Sequence, residues 1–199
     1  MGALEAAPSK PSLRERSKAR RRELIRRTAM RLFAERGYDG ATIADIAAEA
    51  EVAPRTVTMY FPSKADIALS MSNEIAGRLA DVFREDASIG FTGAIDQWLT
   101  AEAKRLDPEL AALTAAMFQA NPGLRSLSSA EVSEAVEAGT PAFSAEVGLP
   151  LDHPLAAVIA AAVGAAVAEY ITVVLHAENR TELHTAFMRT LRALVRSAR

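Results

Sequence analysis

TIADIAAEAEVAPRTVTMYFPSK, residues 42–64, decides how this chain is read. Thr42 and Asp45 have the spacing of a capping box, where a hydroxyl takes the third helical N–H and an acid reaches back to the cap. Ile43, Ile46, Ala47 and Ala50 follow on one helical stripe. Glu51-Val52-Ala53 is a turn, with Val52 plugging the space between two helices. Pro54 suits a first helical position, where its missing N–H would have no partner, and Pro62 stops that helix. Ser63 and Asp66 then cap a third, longer helix predicted to run to about residue 87. Two short helices across a tight turn form the arrangement that lays one helix in the major groove of DNA.

The flanking sequence fits that reading. Residues 10–36 hold 11 Lys/Arg against 3 Asp/Glu, while residues 37–199 hold 12 basic and 21 acidic side chains, so the net charge of −2 conceals a positive pole. Such a pole suits docking one end onto a polyanion. Pro8 and Pro11 set residues 1–12 apart as a flexible arm. From Leu13 a helix is expected to Arg36, with Leu24, Ile25, Ala29, Leu32 and Phe33 inward and Gly37 ending it. Arg14, Arg16, Lys18, Arg20 and Arg21 on this helix are candidates for phosphate contacts, which carry affinity without sequence information.

Half the residues are apolar, glycine and proline are few, and no long β-type alternation occurs, so the fold class expected is all-α. There is no cysteine, which excludes disulfides and thiolate metal sites and fits a reducing cytoplasm. No signal-like apolar stretch follows the amino-terminal charges. Leu155–Ala168 is uncharged but alanine-rich and short of a membrane span, so a helix buried in a soluble body is expected, with no membrane partner. Residues 88–199 read as a second, larger helical domain of acidic, alanine-rich helices, broken at Asp107-Pro108, Asn121-Pro122, Gly139-Thr140-Pro141, Gly148 and Asn179. About nine or ten helices are expected in all.

The order Leu32-Phe-Ala-Glu-Arg-Gly-Tyr38, Ala41-Thr-Ile-Ala-Asp-Ile-Ala47 and Val52 through Tyr60-Phe61-Pro-Ser-Lys64 resembles the TetR family of bacterial transcriptional regulators over about 50 residues. The resemblance implies an amino-terminal helix-turn-helix domain of three helices (residues 13–64), a connecting helix (63–87) and a carboxy-terminal body that dimerises and binds a small effector. It carries Pro54, Arg55, Thr56, Thr58 and Met59 onto the groove face and Thr42, Tyr60 and Lys64 onto a phosphate clamp. Arg55 is the one charged residue of that helix able to take guanine O6 and N7 together. Three positions depart from the family pattern: Glu51 for a common glycine, Ala53 for a serine cap and Thr58 for a frequent aromatic. A left-handed residue at Glu51 would cost on the order of 1 kcal/mol.

In the body, Ala156, Ala160, Gly164 and Ala168 lie four apart and, with Leu183, Phe187 and Leu191, are expected to pair with a second copy. Trp98, Met117, Phe118, Phe143 and Tyr170 are candidates to line an effector pocket, with the Gly139 break loosening a lid. His153, His176 and His184 lack metal-ligand spacing and no phosphate-cradling glycine loop exists, so neither an enzyme, a metal site nor a cofactor is expected. Two readings remain open. One is a homodimeric repressor that binds an inverted repeat of double-stranded DNA and is released by an effector. The other is a helix-turn-helix protein without a small effector, controlled by a partner protein or architectural.

Overall fold

A computed structural model describes residues 12–85, 87–174 and 177–198. The arm foreseen at residues 1–12 lies outside the described residues except for Ser12. Among the described residues the chain is all-helical, without strands. α1 (Leu13–Arg36), α2 (Ile43–Glu49), α3 (Pro54–Tyr60) and α4 (Lys64–Ala68) form the amino-terminal unit. α5 (Ser70–Glu85) leads through a 3-10 turn (Ala87–Ile89) into α6 (Gly90–Arg105), α7 (Pro108–Ala120) and α8 (Pro122–Glu137). α9 (Thr140–Val147), α10 (Pro154–Val174) and α11 (Arg180–Arg196) complete the body.

Caps set most of these boundaries. Ser12 and Glu15 close a capping box at the start of α1, and Thr42 and Asp45 close another at α2. Asp107 accepts from Glu109 and Leu110 N–H, and Asn179 accepts from Glu182 N–H. Gly37 has φ 77° and ψ 158°, a combination open essentially only to glycine. The long third helix expected from Ser63 is instead two. Leu69 ends α4, and the Ser70 hydroxyl donates to the Ile67 carbonyl at 2.8 Å, occupying an acceptor at the bend.

Two hydrophobic clusters organise the molecule. The first joins Ile25, Phe33, Ile46, Val57, Phe61 and Ile67 of α1–α4 to Leu110 and Met117 of α7 and Leu124 of α8. α7 therefore packs along α1 as part of the amino-terminal core. The second gathers Leu79, Phe91, Ile95, Trp98, Val136, Phe143, Val163 and Val167 from the body. Phe91 stacks on Phe83 (5.6 Å) and meets Phe143 edge-on (5.4 Å, 76°).

Two expectations for the body are corrected. The small-residue stripe Ala156, Ala160, Gly164, Ala168 is buried inside its own subunit, because α8 lies on it; a methyl at Gly164 would sit 3.0 Å from the Ser133 Cα. Leu191 is likewise buried, while Leu183 and Phe187 pack on the same internal core and Phe187 stacks on Tyr170 at 4.2 Å. The stripe thus seats a helix of the same chain. The Gly139 break is not a loose lid either. The Phe83 ring rests where a Cβ would be (2.5 Å to Cζ), so any side chain there would have to displace that ring. α10 is long and apolar enough to cross a membrane by length and composition; in the fold its inner face carries Ile159, Val163 and Val167 into the core.

Candidate DNA-binding surface and effector cavity

α3 is fixed from behind and open in front. Val57 is fully buried and Phe61 nearly so, while Pro54, Arg55, Thr58 and Met59 face outward and Thr56 and Tyr60 are half-buried. Ala53 offers no side-chain cap, so the helix starts on Pro54 alone. The turn before it is tight: Val52 N–H donates to the Ala47 carbonyl at 2.9 Å, and Glu51 holds φ 53°. Met59 is 71% exposed. The Arg55 guanidinium makes no hydrogen bond or ion pair among the described residues, whereas the Thr58 hydroxyl donates to the Arg55 carbonyl at 3.2 Å.

The basic helix α1 divides in two. Arg14, Arg16, Lys18, Arg20 and Arg21 are exposed and make no ion pair among the described residues. Beyond them every arginine up to Arg31 is engaged. Arg22 and Arg26 grip Glu74 of α5, and Arg22 also lies over the Phe61 ring at 4.6 Å. Arg27 bonds Glu23, Asp107 and Glu109, and Arg31 bonds Glu49. Burial pushes the Glu74 carboxyl up, yet the hydrogen bonds and charges of Arg26 and Arg22 outweigh it and hold the group below the usual carboxylate range.

Of the expected phosphate clamp, Thr42 is exposed at the start of α2, with its hydroxyl donating to Asp45 at 2.5 Å. Lys64 is different. Its Nζ donates to the carbonyls of Tyr38 (2.6 Å) and Ala41 (3.0 Å) and sits 4.2 Å from the Tyr38 ring centre. The ammonium is thus an internal staple on the α1–α2 loop, because two carbonyls and a ring face together outcompete water for it. Asn121 does the matching task on the other side. Its amide accepts from Tyr38 N–H (2.7 Å) and donates to the carbonyls of Phe33 and Met117. A half-buried asparagine between Ala120 and Pro122 gives no sequence signal for this beyond its use at a break.

Between α5, α6, α7, α8, α10 and α11 lies a cavity of about 810 Å³. Trp98, Phe118 and Tyr170 line it as expected. Met117 and Phe143 do not: Met117 is fully buried against α1 and Phe143 fully buried against Phe91. Apart from Tyr170, the sequence reading missed the polar groups of the wall, which come from several helices and share no spacing. Arg78 holds Glu102 by two 2.6 Å bonds, Ser72 meets Ser128 at 2.6 Å, and Tyr170 meets His184, whose other ring nitrogen lies 2.8 Å from Asp96. Among the described residues no group of acids and histidines could hold a metal ion.

The TetR_N family, bacterial regulatory proteins of the tetR family, matches residues 25–71. The HTH-type transcriptional regulator TcmR of Streptomyces glaucescens is 40% identical over 65 residues, which is 33% of this chain and 29% of TcmR, so the likeness spans less than a third of that relative. By fold, the chain is similar to a tetR-family transcriptional regulator from Streptomyces coelicolor (TM-score 0.57, 20% identity, 90% of this chain and 82% of that one). It is similar also to the regulator FadR from Bacillus subtilis, solved in complex with stearoyl-CoA (TM-score 0.56, 20% identity, 87% and 97%). By sequence the amino-terminal unit matches the tetR family of bacterial regulatory proteins, and over most of its length the chain shares the fold of tetR-family regulators.

Proposed function

We propose that this protein is a cytoplasmic transcriptional regulator, a repressor that binds an inverted repeat of double-stranded DNA as a homodimer and leaves it when a small molecule fills the cavity. The observation that carries this reading is α3 itself. A short helix anchored by Val57 and Phe61 presents Arg55 and Met59 to solvent, flanked by cations of α1 that, like Arg55, have no ion pair among the described residues. Arg55, Thr56, Thr58 and Met59, with Pro54 at the approach, would enter the groove; Thr42, Tyr60 and Arg14 to Arg21 would hold phosphates. Lys64 would support them by fixing the loop.

The dimer surface we assign to the outer face of α10 and α11. Leu155, Val158, Val173 and Leu194 are exposed there, and a face of that kind is stable once a second copy covers it. Two α3 helices about 34–36 Å apart would then meet half-sites one turn apart. The cavity is wired to this end of the molecule: Met71 and Ile75 of α5 line it, and Glu74 between them grips α1. A ligand that prefers one position of α5 would change the separation of the reading helices, which is how differential affinity becomes release. Selection of bound duplexes from a random pool at physiological salt tests the reading. Recovery of an inverted repeat is expected; recovery of no motif, with only salt-sensitive general binding, would refute it.

A further inference from the structure

We infer that the cavity takes an amphipathic anion, an apolar body ending in one carboxylate or phosphate group, with that group at the cavity mouth. The inference rests on the reading of the cavity as the effector site and names the chemistry of what enters it. The inner wall is apolar, built from Ile75, Trp98, Leu99, Phe118, Val132 and Ile171. Several polar groups set in that wall are already partnered: the Ser72 and Ser128 hydroxyls meet each other, Tyr170 meets His184, and the Thr114 hydroxyl donates to the Leu110 carbonyl at 2.7 Å. The interior therefore asks for little but apolar surface.

Charge is distributed otherwise. Five basic side chains line the cavity (Arg78, Lys104, Arg105, Arg125, Arg180) against one carboxylate, Glu102. Glu102 is held twice by Arg78 and approached by Arg105 at 3.4 Å. The carboxylates just outside the lining are held too, Glu169 by Arg125 and Asp96 by His184 and Arg192. A cationic ligand would have to displace an arginine to find a partner. An anion would find the Lys104 ammonium exposed and without an ion pair among the described residues. The cations also gather at helix ends: Lys104 and Arg105 close α6, Arg125 lies in the first turn of α8, and Arg180 opens α11. The amino-terminal ends of α8 and α11 add their own positive potential to that mouth.

The chain has a single tryptophan, and it lines this cavity, so its emission reports occupancy directly. The full-length protein would be titrated, below micellar concentrations, with decanoate, decyl phosphate, decanol and decyltrimethylammonium. Decanoate and decyl phosphate are expected to saturate the Trp98 signal at concentrations about tenfold or more below the alcohol and the cation. Whichever of the two binds tighter separates a fatty-acid type of headgroup from a phosphate monoester. The double variant Lys104→Gln/Arg105→Gln should weaken both anions by about tenfold and leave decanol unmoved. Val132→Phe, which fills the apolar end, should weaken anions and alcohol together. Equal binding of all four probes, or an anion affinity indifferent to the double variant, would overturn the inference while leaving an effector cavity in place. A Trp98 signal silent to all four would overturn the inference and the effector reading with it, whereas failure of operator selection would count against DNA binding alone.

Discussion

Arg55 and Glu51, four residues apart, pose opposite problems for the chain. Arg55 is exposed and makes no ion pair among the described residues, which leaves it open to the base contact proposed for it. Arg55→Ala is expected to cost about 1–3 kcal/mol on the preferred duplex and to relax discrimination at one base position, leaving non-specific binding nearly intact. Binding curves on matched and mismatched duplexes that shifted in parallel would remove it from base reading. Glu51 is strained, at φ 53° in an exposed turn. Glu51→Gly relieves a left-handed penalty of about 1–2 kcal/mol, offset in part by the greater backbone freedom glycine loses on folding, for a net gain of about 0.5–1 kcal/mol. The melting temperature should rise by about 2 °C, and no rise would show the turn relaxed already. Glu51 was legible only through the resemblance, which places a common glycine at its position. The staple made by Lys64 was not, since its acceptors are carbonyls 23 and 26 residues away and any residue type supplies a carbonyl.

At the scale of elements, the joint between α1 and α5 is ionic. Arg26 is 6% exposed in its side chain and its partner Glu74 is 38% exposed, so the pair is buried on one side only. Glu74→Gln should destabilise the protein by about 1–2 kcal/mol at neutral pH, short of a fully buried pair because water reaches the carboxylate. The Glu74 pKa is lower folded than unfolded, so its contribution is present above the unfolded value of about 4.3 and fades as pH falls through the folded one. Denaturation curves of the native and Gln forms should therefore converge in acid; a constant gap would mean the carboxylate is not what the arginines hold. Helix starts were readable because Thr42, Ser63, Asp107 and Asn179 act on their own neighbours. The break at Leu69 was hidden, since Ser70 looks like any helical serine until its hydroxyl takes the Ile67 carbonyl. The four-residue stripe on α10 correctly marked a close helix contact, but spacing cannot tell an internal neighbour such as Ser133 from a second copy.

For the whole molecule, what matters is which apolar surfaces remain uncovered. Val158 is 64% exposed on α10, so Val158→Asp should leave the subunit folded and shift it to monomer in sedimentation. If that face forms the dimer, affinity for a two-half-site duplex should fall toward that for a single half-site. A dimer that survived the change would place the interface elsewhere. The other whole-molecule feature is α7, which lies beyond the cavity-lining α5 and α6 in the chain yet lends Leu110 and Met117 to the amino-terminal core. For anyone wishing to exchange sensing bodies among regulators, a splice after α4 would strip α1 of its apolar cover. The unit that can be transplanted is α1 to α4 together with α7, a graft with two seams, and a new body will be accepted only if it brings a helix shaped to lie along α1.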